Sequence, residues 1–64
     1  MDKLFESYNC ISEGFYMEGL YIVRVSHKIT NNNITVLTVA DAYRVSRLLD
    51  LEYIVTSWYT KENN

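Results

Sequence analysis

The longest regular pattern of apolar and polar positions lies between Leu37 and Leu51. At about 100° per residue, one arc of a helix over this stretch carries only apolar or small side chains. That arc is formed by Val39, Ala42, Val45, Ser46 and Leu49. Thr38 stands where an N-cap is expected, and Asp41 three residues later places a negative charge near the positive end of the helix. The pattern predicts an amphipathic helix that begins after Thr38 and ends near Leu51.

Strand-like patterns flank this helix on both sides. Residues 20–29 are rich in β-branched side chains and alternate between two faces, which predicts a strand. The polar segment 30–33 contains three consecutive Asn residues, which favour turns, and a short strand over 34–37 follows it. Residues 52–60 alternate again and predict a last strand. Its Trp58 and Tyr59 are interpreted either as core and edge aromatic residues or as an interface anchor, and we favour the core for Trp58. Residues 61–64 are predicted to form a polar tail.

The N-terminal residues admit two interpretations. Leu4, Phe5, Tyr8 and Ile11 fall at helical spacing, whereas the alternation around Cys10 is equally typical of a strand. For residues 2–13 we favour a short helix or turn followed by extended chain, which continues through residues 15–17 to a bend at Glu18-Gly19. Together these elements predict an α+β fold, ββαβ-like, in which a small antiparallel three-stranded sheet carries one main amphipathic helix. All 64 residues are expected to form a single domain.

Length and charge narrow the possible partners. A 64-residue domain buries only about 60% of its unfolded surface, and one helix covers only one face of a sheet. We therefore expect a homodimer. Six basic and eight acidic residues give a net charge of −2, which argues against a nucleic-acid partner. No run has the length of a membrane span and the N-terminus does not resemble a signal peptide, so we expect a cytoplasmic protein without a membrane partner.

Catalytic and metal-binding patterns are missing from the sequence. Cys10 and His27 are the sole residues of their types, and the two glycines do not form a phosphate-binding loop. We therefore predict no enzyme activity, no cofactor and no metal. His27 is expected at the surface beside Lys28, and Cys10 is expected to be a small buried hydrophobic residue.

Four short segments share their order and rough spacing with a known family. They are Glu6-Ser7-Tyr8-Asn9, Glu18-Gly19, His27-Lys28 and Leu37-Thr38-Val39-Ala40-Asp41. They resemble motifs of the uracil-DNA glycosylase inhibitors of phi29-type Bacillus phages. The chain departs from that family in its longer segment 30–36 and in Ala42, where the family has phenylalanine and this chain has Tyr43 one position later. It also has Arg44 and Arg47 where a DNA mimic favours acids, so phosphate mimicry falls to Asp41, Asp50 or Glu52.

The resemblance implies a phage-encoded DNA mimic that binds host uracil-DNA glycosylase as a homodimer and blocks its DNA-binding cleft. An apolar pocket between paired helices would receive the side chain that such an enzyme inserts into DNA. The partner-binding residues it implies are Val39, Asp41, Ala42, Tyr43, Ser46 and Arg47. The alternatives are a small host-takeover protein that inhibits another host enzyme such as RNA polymerase, and a structural or oligomerisation module without inhibitory activity. A nucleic-acid binder using Arg24, Lys28, Arg44 and Arg47 is the least favoured alternative.

Overall fold

Four antiparallel strands and one long helix form the part of the protein that the computed structural model describes, namely the backbone of residues 2–62 and the side chains of residues 2–58. The elements are β1 (Asp2–Glu6), β2 (Cys10–Met17), β3 (Leu20–His27), β4 (Asn33–Val36) and α1 (Val39–Glu62). Each strand pairs with the next along the chain, in the order β1-β2-β3-β4. Helix α1 packs across one face of the sheet, mainly on β3. The predicted α+β class is confirmed.

Two turns set the register of the sheet. Glu18 and Gly19, with φ of 51° and 81°, form a two-residue hairpin loop that leaves Met17 paired with Leu20. Positive φ at both central residues matches the twist of the flanking strands. Between β3 and β4, Asn31 adopts a φ of 64°, and its amide donates to the carbonyl of His27. The predicted bend and the predicted Asn-rich loop are both confirmed.

The core lies between α1 and the face of the sheet that it covers. Its fully or nearly fully buried apolar residues are Cys10, Val23, Val25, Ala42 and Leu49. Leu4, Phe5, Tyr21, Val36 and Val45 pack around them. Gly14 belongs to this face because the ring of Tyr21 occupies the space that a Cβ there would need. The core is therefore small, and much apolar surface stays outside it.

The N-terminal helix that we favoured is wrong. Residues 2–6 form β1, which pairs with β2 through a register shift between Lys3 and Phe5. Phe5 lies opposite Ser12 and reaches the face that α1 covers. The helical spacing of apolar residues was misleading because pairing with a neighbouring strand, which is a non-local interaction, decides the conformation of this segment. The sheet consequently has four strands and not three.

The predicted strand over residues 52–60 is also wrong, because α1 continues without interruption to Glu62. No glycine or proline interrupts residues 39–62, and Tyr53 extends the sheet-facing side of the helix one turn beyond Leu49. Trp58, expected in the core, is 65% exposed. The side chains of Tyr59 and of the predicted polar tail lie outside the described ones. Within residues 2–62, no helix has both the length and the apolar character that a membrane span requires.

Candidate functional site

The start of α1 has the predicted cap. The Oγ1 atom of Thr38 accepts a hydrogen bond from the amide of Asp41 at 3.1 Å, and the carbonyl of Thr38 accepts one from the amide of Ala42 at 3.1 Å. The side chain therefore satisfies an amide that has no partner within the helix. This cap fixes where the helix begins.

The six predicted partner-binding residues do not form one surface in the single chain. Ala42 is fully buried and Ser46 nearly so, with the Ser46 hydroxyl donating to the carbonyl of Tyr43 at 2.7 Å. The exposed members Val39, Tyr43 and Arg47 follow one another at a spacing of four along one flank of the helix. Asp41, which is half-buried, lies on the opposite flank, where its carboxylate is 3.7 Å from Arg44. We call Val39, Tyr43 and Arg47 the Tyr43 flank.

Tyr43 is held in place by an aromatic stack. Its ring centroid is 4.3 Å from that of Phe5, with an interplanar angle of 14°, and 53% of the residue remains exposed. The stack joins strand β1 to the helix and fixes the orientation of an exposed aromatic ring. Because the ring is already fixed before binding, less side-chain entropy is lost when a partner binds. Sequence reasoning missed Phe5 because it did not place residues 2–6 in a strand.

The side of α1 that points away from the sheet carries a row of large apolar side chains. Its members, which we call the outer stripe, are Leu48, Leu51, Val55 and Trp58. Each is between 54% and 65% exposed. Their spacing of three, four and three residues is that of a helix-to-helix seam. The sequence contained this signal, but the interpretation of residues 52–60 as a strand concealed it.

A thiol, an imidazole and a carboxylate meet beneath the helix. Cys10 and His27 are direct partners across β2 and β3, and Asp50 approaches them from α1. The Nε2 atom of His27 is 3.3 Å from Oδ1 of Asp50, and Sγ of Cys10 is 4.0 Å from the same oxygen. We call these three residues the buried cluster. The expectation that His27 lies at the surface is wrong, since its side chain is fully enclosed.

The hydrogen bonds of His27 indicate its tautomer. Its Nδ1 atom accepts from the amides of Ile29 and Thr30, each at 3.3 Å, so the proton of the neutral ring belongs on Nε2. Although Nε2 is close to Asp50, the two atoms are not aligned for a hydrogen bond, and Nε2 has no such partner among the described residues. A buried side-chain nitrogen without a hydrogen-bond partner is uncommon in folded proteins.

Cys10 is not placed as a nucleophile. Burial, and then the negative charge of Asp50, raise the pKa of its thiol, so the thiolate is scarce at neutral pH. The sulfur is fully shielded from solvent and lies 3.6 Å from the carbonyl oxygen of Ser46. The expectation of a small, buried Cys10 is confirmed.

A groove of about 380 Å³ opens between the β3–β4 loop and the helix. Its lining residues are Thr30, Asn32, Leu49, Glu52, Tyr53, Thr56 and Ser57. The ring of Tyr53 separates the groove from the buried cluster, with its centroid 4.9 Å from that of His27.

Comparison of the chain with protein-family models, curated proteins and solved structures gives no match in any of the three.

Proposed function

We propose that this protein is a non-catalytic, phage-encoded inhibitor that binds host uracil-DNA glycosylase as a homodimer in the host cytoplasm. The observation that carries the proposal is the half-exposed ring of Tyr43, fixed by its stack on Phe5 near the capped start of α1. A rigid, exposed aromatic ring on a helix is typical of the anchor residues that dominate protein interfaces. Blocking the DNA-binding cleft requires such an anchor and no catalytic group.

Competition with DNA requires an apolar contact beside negative charge. A glycosylase that flips a base inserts an apolar side chain into the duplex, and an inhibitor can offer that side chain an apolar surface instead. The Tyr43 flank supplies aromatic and aliphatic area. The carboxylates that would stand in for phosphates are those of Asp41 and Glu52, on the other flank of the same helix.

Dimerisation through the outer stripe brings these two flanks together. In a parallel pair of helices related by a two-fold axis, one flank of each helix lies beside the opposite flank of the other. Asp41 of the partner subunit then lies two residues, roughly 3 Å along the helix axis, from the level of Tyr43. The dimer thereby combines the apolar flank of one chain with the acidic flank of the other.

The outer stripe offers large apolar side chains to this association. A stable interface buries at least about 1,000 Å² in total, and large aromatic and aliphatic side chains supply most of that area. The four residues of the stripe are more than half exposed, with Ile54, 56% exposed, beside them. A second copy of the chain offers an identical stripe, so dimerisation buries both apolar surfaces against each other.

Uracil release from a duplex oligonucleotide tests the proposal. Purified, folded protein in molar excess should abolish release, and added undamaged duplex should restore it by competition. Tyr43→Ala should weaken inhibition by about 2 kcal/mol or more, roughly 30-fold. Tyr8→Ala is the matched control, because Tyr8 is 93% exposed and lies outside α1. Undiminished uracil release in the presence of folded wild-type protein would refute the proposal.

Two alternatives remain: a small host-takeover protein that inhibits another host enzyme such as RNA polymerase, and a structural or oligomerisation module without inhibitory activity. The outer stripe favours the oligomerisation module, since it explains a dimer without reference to any target. A stable dimer that leaves uracil release unaffected would support it over the glycosylase inhibitor.

A further inference from the structure

We propose that the buried cluster is a zinc-binding site, with Sγ of Cys10, Nε2 of His27 and Oδ1 of Asp50 as its three protein ligands. The fourth position would be taken by water on the side where the Asp50 carboxylate, 32% exposed, meets solvent. This inference does not depend on the proposed inhibitory function.

The three ligand atoms are close to tetrahedral spacing. They all lie within 4.8 Å of one another. Zinc bonds of about 2.0–2.3 Å at tetrahedral angles separate two ligand atoms by roughly 3.3–3.7 Å. The nitrogen-to-oxygen distance is 3.3 Å and the sulfur-to-oxygen distance is 4.0 Å. The nitrogen-to-oxygen distance is already in this range, and the sulfur atom has to move closer for all three atoms to bind one ion.

An independent observation points to a ligand at this place. His27 is fully enclosed, its Nε2 atom lies 3.3 Å from Oδ1 of Asp50, and that atom has no hydrogen-bond partner among the described residues. Buried polar atoms normally have a partner, and a metal ion would provide one. Thiolate, imidazole and carboxylate together suit zinc better than magnesium or calcium, which prefer oxygen ligands alone.

Zinc binding requires protons to move. The Cys10 thiol must lose its proton, and a neutral His27 that binds zinc through Nε2 must carry its proton on Nδ1. That proton would face the amides of Ile29 and Thr30, which donate to Nδ1 in the metal-free chain at 3.3 Å. Both contacts are long, and the binding energy of a zinc site exceeds that of two such hydrogen bonds several-fold. We therefore expect the turn over residues 28–31 to rearrange when zinc binds.

The first experiment titrates cobalt and then zinc into the intact, reduced chain after removal of metals with a chelator. We expect one cobalt ion per chain, a sulfur-to-cobalt charge-transfer band, and its disappearance when zinc displaces cobalt. In nuclear magnetic resonance spectra, zinc should shift the amide signals of Ile29 and Thr30. Failure of the wild-type chain to give the charge-transfer band would overturn the proposal.

Matched variants then test the ligand set. Asp50→Asn should lower zinc affinity at least about tenfold, because one of three ligands is lost. Glu52→Gln makes the same change of charge two residues away, at the mouth of the groove, and should leave the affinity unchanged. Cys10→Ala should abolish the sulfur-to-cobalt band. If Cys10→Ala fails to fold, the comparison of Asp50→Asn with Glu52→Gln decides alone, and equal affinities for these two variants would overturn the site.

Discussion

The rings of Phe5 and Tyr43 stack 4.3 Å apart and connect the first strand of the sheet to the helix that follows the last strand. Phe5 comes from β1, at the edge of the sheet, and Tyr43 from the second turn of α1. The contact therefore joins two elements that β2, β3 and β4 separate in the sequence. It also orients the aromatic ring that we propose for partner binding. Loss of such a pair costs about 0.5–1.5 kcal/mol beyond the area it buries.

Replacing an apolar residue of the outer stripe by an acid should dissociate the proposed dimer. In Leu51→Glu, two charges would face each other across the seam, whereas the fold should persist because Leu51 is 57% exposed and lies outside the core. Leu20→Glu is the control, since Leu20 is 62% exposed but lies in the hairpin between β2 and β3, outside the outer stripe. Sedimentation equilibrium should show a folded monomer for Leu51→Glu and a dimer for Leu20→Glu. A dimer in both cases would exclude the outer stripe as the interface.

Removal of the helix cap should destabilise the fold. Thr38→Ala deletes the oxygen that accepts from the amide of Asp41, which should lower the free energy of unfolding by about 0.5–2 kcal/mol. Thr38→Ser keeps an acceptor at the same place and should retain most of the stability. Urea unfolding of the three proteins measures both differences. Equal stabilities for Thr38→Ala and the wild type would show that the cap contributes nothing.

Gly14 should not tolerate a side chain while Tyr21 is present. A Cβ at Gly14 would overlap the ring and the hydroxyl of Tyr21, which would have to turn away from its edge-to-face contact with Tyr16. We expect Gly14→Ala to cost about 1–3 kcal/mol. In a Tyr21→Ala background the same substitution should cost much less, because the overlapping ring has gone. A double-mutant cycle that shows no coupling would disprove the steric explanation.

The ion pairs of Glu6 should make stability depend on pH under acidic conditions. A hydrogen bond from Lys28 Nζ at 2.6 Å, and then one from Lys3 Nζ at 3.0 Å, lower the pKa of Glu6 from 4.5 to about 2. A carboxyl group whose pKa falls on folding stabilises the protein above its unfolded pKa, and this contribution is lost as the pH drops from 4.5 through about 2.

Comparison with Glu6→Gln isolates this effect from the other carboxylates. The wild type should lose more stability than Glu6→Gln between these two pH values, and added salt should shrink the difference because the pairs are exposed. Parallel pH profiles of the two proteins at low salt would contradict the assignment to Glu6.

Local signals in the sequence were sufficient for several features. Thr38 and Asp41 specify the start of the helix through a cap that needs no distant partner. Gly19 and Asn31 mark their turns because both favour positive φ. The buried side of the first three turns of α1 follows from helical spacing alone. The α+β class follows from these local features together.

Non-local contacts determined the rest. The conformation of β1 depends on pairing with β2, and the spacing of apolar residues within residues 2–6 carries no trace of that pairing. Residues 52–60 alternate like a strand, yet α1 continues through them to Glu62, and Tyr53 packs on His27. The burial of His27 depends on Asp50, which is 23 residues away in the sequence and approaches only once α1 has docked. The Tyr43 flank was predicted in part, whereas the outer stripe and the buried cluster require the structure.

Direct binding to purified uracil-DNA glycosylase tests the central proposal most directly. Isothermal titration calorimetry, at chain concentrations where the protein is dimeric, should give two chains per enzyme molecule. Saturating the enzyme beforehand with an uncleavable uracil analogue in duplex DNA should abolish the heat of binding, because both ligands occupy the same cleft. Absence of binding heat and of a complex in sedimentation, with both proteins folded, would contradict the account.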